Sequence, residues 1–318
     1  MAKSKPVILV IVGPTASGKS DLAVTLAKKL NGEVVSADSR QVYTGLDIGT
    51  GKITTKEMRG VPHHLLDIAD PKRTFTVVRY VKLADTAIQN ILKRGKLPIV
   101  CGGTGFYIQA LVDHIAFPEV PANKKLRKKL DSKTIPQLLA QLKKLDPKRF
   151  KQISENESDR QNKRRIIRAI EVAKTRPADY ELTEVESPYS PIFIGLNPPR
   201  DELRAKIRAR LLKRLKAGML DEARSLHRNG LSWKRMEDLG LEYRYMTRFL
   251  QGKISKEEMV EKLSIEIGKY AKRQMTWFGR DKRIKWLDAK EKAAILTSPP
   301  EEPILRIHRD GDSSMLRG

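Results

Sequence analysis

The chain has 318 residues, of which 40% are apolar and 32% charged, with 63 Lys plus Arg against 38 Asp plus Glu for a net charge of +25. That length allows about two domains of ~150 residues each, and no apolar run reaches the ~18 residues of a membrane span. A single cysteine, Cys101, excludes an internal disulfide framework and fits a reducing, cytoplasmic setting, while the excess positive charge points to a polyanionic partner.

In chain order, Val7–Val12 is a β-branched run that reads as a buried first strand rather than a signal peptide. A Gly-rich loop follows. A helix with Leu22, Leu26 and Leu30 on one face then stops at Asn31-Gly32. Glu33–Ala37 reads as a second strand ending at Asp38. Thr76 is placed to cap a helix with the stripe Val77, Val81, Ala84, Ile88 and Ile91, and Leu97–Cys101 reads as a third strand running into Gly102-Gly103-Thr104-Gly105. Strands alternating with helices at this spacing predict βαβ units and a parallel sheet. From about residue 116 to 190 the strand pattern gives way to helical stretches dense in Lys and Arg, which predicts an inserted, basic, all-helical lobe. Ile192–Leu196 returns to the sheet. Asp201 is placed to cap a helix with Leu203, Ile207, Leu211 and Leu215 on one face and Arg204, Arg208, Arg210, Lys213 and Arg214 on the other. Ser255 to Glu258 fits a capping box, opening a helix with Met259, Leu263, Ile267 and Tyr270. The expected organisation is a first core part over 1–115, the insertion over 116–190, core completion over 191–297, and a flexible tail over 298–318.

Gly13-Pro14-Thr15-Ala16-Ser17-Gly18-Lys19-Ser20 fits G-x-x-x-x-G-K-[ST] between a predicted strand and a predicted helix. Its amides and the helix N-terminus suit an anionic phosphate, Lys19 adds a point charge, and Ser20 offers a hydroxyl to Mg²⁺. The motif says that a di- or triphosphate binds, not what becomes of it. The strand at 97–101 ends in glycines where a P-loop ATPase carries an acid; the acid at a strand end is Asp38 instead. Taken alone, these features suggest a P-loop kinase of nucleotides or metabolites.

His63 and His64 with Asp67 lack the spacing of a metal site. Cys101 within an apolar strand reads as a small core residue. Tyr270, Trp277 and Phe278 fall on a core stripe and read mostly as core. The basic face of 204–214 reads equally well as a solvated surface or one facing RNA.

The set GPTASGKS, DSRQVY (38–43), GTGK (49–52), HHLLD (63–67), GGTGFY (102–107), RIIRAIEV (165–172) and YAKRQMTWF (270–278), in that order, resembles the tRNA dimethylallyltransferase family from about Pro6 to Trp286. The resemblance implies a P-loop NTPase-like α/β fold with a parallel sheet flanked by helices. It implies transfer of a dimethylallyl group from dimethylallyl diphosphate to N6 of the tRNA adenosine on the 3′ side of the anticodon, with release of diphosphate. It further implies Asp38 as the base and Thr104 near the reacting centre. Ser39, Arg40 and Gln41 would read the extruded adenine, since Gln can bond an adenine edge bidentately. Arg127 and Gln161-Asn162-Lys163-Arg164-Arg165 would contact tRNA, with the helical lobe acting on the anticodon stem-loop. The alternatives are prenyl transfer to free AMP or ATP, which would not need the basic lobe, and an RNA-binding P-loop NTPase. Nothing in the sequence demands more than a monomer, and membrane binding explains the charge poorly.

Overall fold

Strand β1 (Val7–Val12) lies in the middle of a six-stranded sheet, and its residues alternate between two cores. In this computed structural model, which describes residues 5–118, 120–176 and 186–297, the other strands are β2 (Gly32–Ser36), β3 (His63–His64), β4 (Leu97–Gly102), β5 (Ser190–Leu196) and β6 (Ile284–Leu287). All pairings are parallel and the order is β3-β2-β4-β1-β5-β6. Ile8, Val10 and Val12 join a cluster with Val35, Val100 and Phe193, covered by Tyr80, Ile88 and Ile91 of the helix Val77–Lys93 and by Leu263, Ile267 and Ala271 of the helix Lys256–Phe278. Leu9 and Ile11 join the opposite cluster with Val34, Ile99 and Ile194, covered by Leu22 and Leu26 of the helix Lys19–Lys29. Helices on both faces account for the near-continuous apolar strands, since a parallel sheet has no solvated side.

Several helix starts follow their sequence signals. Thr76 accepts from the Arg79 amide, and Ser255 and Glu258 form a complete capping box. Asp201 does not cap its helix. That helix runs Arg200–Lys216 from Pro199, and Asp201 sits in its first turn, where its charge still complements the helix dipole. The first helix ends at Lys29, and Gly32 is already the first residue of β2. Strands β3 and β6 have no counterpart in the sequence reading.

Contacts divide the chain into one unit of 1–114 with 186–318 and a second of 115–185. Strand β5 starts at Ser190, ahead of the expected Ile192 and inside the segment assigned to the insertion. The second unit consists, among its described residues, of helices Lys124–Asp131, Ile135–Leu145, Pro147–Ser154, Glu157–Arg160 and Lys163–Thr175 around Leu130, Leu138, Leu142, Ile166 and Ile170. The expected tail, 298–318, lies outside the described residues. Among those described, no helix is long and apolar enough to cross a membrane.

Candidate active site

The three motif loops leave the carboxyl ends of three adjacent strands, where open α/β sheets place their ligands. Gly13–Gly18 follows β1, Asp38–Tyr43 follows β2, and Gly103–Gly105 follows β4, the strand between those two. Close approach is enforced at Gly102, where a Cβ would stand 2.1 Å from the Ala37 carbonyl oxygen. Beyond it, the Thr104 amide donates to that carbonyl at 3.1 Å. The Thr104 hydroxyl accepts from the Ser39 amide at 3.0 Å and donates to the Ser39 hydroxyl at 3.4 Å. Thr104 is thereby fixed to the exit that carries Asp38.

Asp38 Oδ1 accepts from the amides of Arg40 at 2.8 Å and Gln41 at 3.3 Å, a turn an aspartate builds from its own side chain. Asp38 Oδ2 makes no hydrogen bond among the described residues, and the side chain is half-buried. One oxygen therefore holds the turn while the other remains available to a substrate proton. Gln41 Nε2 donates to the Gly51 carbonyl at 3.4 Å, so this amide is already partly engaged within the protein.

The phosphate loop has the backbone its glycines predict, with Gly18 at φ 87° and Ala16 also left-handed at φ 64°. Lys19 donates to the Pro14 carbonyl at 3.2 Å. Burial lowers the pKa of Lys19; the Asp38 carboxylate partly opposes this, and the Arg210 guanidinium adds to it. Lys19 thus sits buried at a loop of backbone donors with the charge of Arg210 bearing on it, an arrangement an anion would relieve. Arg210 approaches from the helix Arg200–Lys216, close to Gly51. Ser20 presents an exposed hydroxyl in the first turn after the loop. A single hydroxyl beside a diphosphate suits Mg²⁺, which keeps several waters and takes substrate oxygens for the rest.

The fold sorts the basic face of 204–214 residue by residue. Arg210 lies beside Gly51 with its charge felt at Lys19, Arg214 bonds the Gly49 carbonyl at 2.9 Å and pairs with Glu242, and Arg204 pairs with Asp201. The sequence reading could not single out Arg210, because five cations share that face. It also took the helix Lys256–Phe278 mainly as core. Phe278 and Ala271 are core, but Tyr270, Gln274 and Trp277 face the site. Tyr270 lies close to Thr104, and burial followed by the Asp38 charge raises its pKa. Gln274 bonds both loops, and Trp277 packs where a Cβ on Gly105 would stand 2.2 Å from its Cδ1. Cys101 is buried, with its thiol pushed up to about 11 by desolvation, which suits packing and not nucleophilic attack. His64 bonds Glu33 at 2.7 Å, in a cluster completed by Arg94 and Lys96.

In the helical unit, Arg127 is tied to Glu171, with Nε to Oε1 at 3.0 Å and Nη2 to Oε2 at 2.6 Å. Arg165 pairs with Asp159, and Lys163 donates to the Asp131 carbonyl at 2.5 Å. Asn162 caps the following helix through the Arg165 amide, while Gln161 and Arg164 are exposed. Residues 161–165 gather at the start of one helix while Arg127 lies on another, and several of these side chains hold the unit together.

The model of the family described as IPP transferase matches residues 41–281, and that described as isopentenyl transferase matches 6–74. The chain belongs to the IPP transferase family. It is 44% identical over 285 residues to tRNA dimethylallyltransferase 2 of Trichlorobacter lovleyi, covering 88% of this chain and 92% of that one. It is 46% identical over 280 residues to tRNA dimethylallyltransferase 2 of Treponema denticola, covering 86% and 91%. Among solved structures it is similar to the tRNA isopentenylpyrophosphate transferase of Bacillus halodurans, with a TM-score of 0.68, 37% identity, and coverage of 96% of this chain and all of that one. A eukaryotic dimethylallyltransferase acting on tRNA superposes with a TM-score of 0.76 at 25% identity, covering 91% and 78%. This IPP transferase is an enzyme with the P-loop-like parallel fold of those structures.

Proposed function

We propose that this IPP transferase moves a dimethylallyl group from dimethylallyl diphosphate to N6 of the adenosine on the 3′ side of the anticodon in tRNA, releasing diphosphate. The observation that carries the reading is the meeting of a phosphate loop holding Lys19 with an available carboxylate oxygen on the exit of β2, one strand away. The P-loop amides with Lys19 and Arg210 bind the diphosphate and stabilise the charge that develops as the carbon–oxygen bond breaks. Bound at Ser20 and the diphosphate oxygens, Mg²⁺ would neutralise part of that charge. The adenine amine is a poor nucleophile because its lone pair is delocalised. Asp38 takes its proton as the carbon–nitrogen bond forms, an effect worth ~10²–10⁴ in rate. Thr104 is held at this centre by Ser39 and the Ala37 carbonyl. The backbone of Arg40 and Gln41 keeps the Asp38 turn in place; the Arg40 side chain faces the extruded base, and Gln41 would release its bond to the Gly51 carbonyl to read it. Gln161, Asn162 and Arg164 are the most exposed of the proposed tRNA contacts, and Arg127, Lys163 and Arg165 contribute to binding while also holding the helical unit.

The test is incubation with Mg²⁺ and labelled dimethylallyl diphosphate plus, separately, unmodified tRNA, AMP and ATP, followed by nucleoside mass spectrometry. Label in tRNA adenosine alone is the expected result. Label in AMP or ATP would move the acceptor to free nucleotides, and ATP hydrolysis without label would overturn the transferase reading.

A further inference from the structure

We propose that Gln274 is a positioning residue for this reaction, locking the diphosphate loop to the strand exit that carries Thr104. The inference rests on the reading in the preceding subsection. Gln274 is 6% exposed and lies on a helix face otherwise made of Leu263, Ile267, Ala271 and Phe278. Packing alone would be served there by an apolar residue. Instead the amide makes two bonds to segments distant in sequence. Its Oε1 accepts from the Thr15 amide at 2.9 Å, and its Nε2 donates to the Gly103 carbonyl at 2.8 Å.

Each end of the clamp touches a different half of the reaction. Thr15 belongs to the loop that would hold the leaving diphosphate. Gly103 immediately precedes Thr104, which is bonded to the exit carrying Asp38. The spacing between leaving group and acceptor therefore depends on this amide as well as on the sheet. The engaged Thr15 amide is also withdrawn from the anion-binding set, so the loop offers its remaining donors in one fixed arrangement. Gly103 leaves no slack, because a Cβ there would stand 2.2 Å from Nε2. A misplacement of about 1 Å costs about 10²-fold in rate in a reaction that depends on alignment.

Two variants separate this role from packing. Gln274→Leu keeps the volume and removes both bonds. Gln274→Glu keeps an acceptor for the Thr15 amide but can donate to the Gly103 carbonyl only when protonated. With both substrates saturating at pH 8, kcat should fall about tenfold or more in each, the loss of roughly one to two hydrogen bonds from the aligned state. The dissociation constant for tRNA should stay within about twofold, because the RNA-facing residues are untouched. Gln274→Glu should regain activity relative to the parent as the pH is lowered to about 6, since a buried carboxyl holds its proton there, and Gln274→Leu should not. If Gln274→Leu fails to fold, the pH profile of Gln274→Glu decides. A kcat within about twofold of the parent in a folded variant, or a Gln274→Glu loss that is the same at both pH values, would overturn the inference. A parent chain that transfers no label to tRNA would instead overturn the reading of function.

Discussion

Glu171 lies at 0% exposure in the helical unit and accepts from Arg127, Arg168 and the Asn123 amide. Burial pushes its pKa up, but the hydrogen bonds from the two arginines and the amide outweigh that and bring it from 4.5 to about 2. That net drop corresponds to about 3 kcal/mol of stability, as an order of magnitude. Because the folded pKa is depressed, the contribution is complete above pH 4.5 and is lost as the pH falls toward 2. Glu171→Gln removes the anion but keeps the shape. It strands two guanidiniums whose side chains are 44% and 36% exposed and can turn to water, so the cost stays near 3 kcal/mol and below the ~3–5 of a broken pair that leaves a buried charge. Hydrogen exchange at pH 7 should show amides in the helices Lys124–Asp131 and Lys163–Thr175 exchanging about two orders of magnitude faster, with those of β1 and β4 unchanged. The gap between parent and variant should narrow as the pH is lowered toward 2. A change below about threefold, or an equal change in the sheet, would refute the assignment of Glu171 as the anchor of this unit.

Asp38→Asn retains an acceptor for the Arg40 and Gln41 amides, so it should cost ~10²–10⁴ in kcat while tRNA affinity stays within a few fold; near-normal turnover would remove Asp38 from the role of base. Arg210→Ala and Lys19→Ala should each raise the KM for dimethylallyl diphosphate by about tenfold or more, read from initial rates at saturating tRNA. An unchanged KM would contradict the phosphate-loop assignment of that residue. Arg164→Glu should weaken tRNA binding and flatten its salt dependence by about one unit of slope per lost phosphate contact; an unaltered slope would place Arg164 away from phosphate. Gly102→Ala should leave little folded protein, measured as yield and melting temperature, because the Ala37 backbone occupies the space its Cβ needs.

The main strands were legible because β-branched runs bounded by Gly-rich loops have few other readings. Strand β3 is only His63–His64, and β6 carries Lys285 and Trp286 among its four residues, so neither has a pattern to find. The phosphate loop and Asp38 were legible from residue type and strand context together. What pattern could not supply was the choice among equivalent residues. Arg210 is one of five cations on its helix face, and only the packing of that helix selects it. Gln274 sits on an apolar stripe whose period says buried and says nothing of Thr15 or Gly103. Arg127 belongs to a basic run that reads as surface, and its partner Glu171 lies 44 residues on.

The order in which the sheet is threaded also bears on how the chain is made. Strand β1 spans residues 7–12, yet its partner β5 spans residues 190–196, with the whole helical unit translated in between. On the ribosome, a nascent chain that has paired β2, β4 and β1 would present the β5-facing side of β1 as an open apolar edge, the kind of edge that templates aggregation. At about 5–20 residues per second, the 71 residues of 115–185 hold that edge open for several seconds or more. The unit made in that interval closes its own core from local helix contacts, which form fast. The vulnerable period of this enzyme's synthesis is therefore set by the length of its insertion, and a version with the insertion shortened should need less chaperone assistance to reach the same soluble yield.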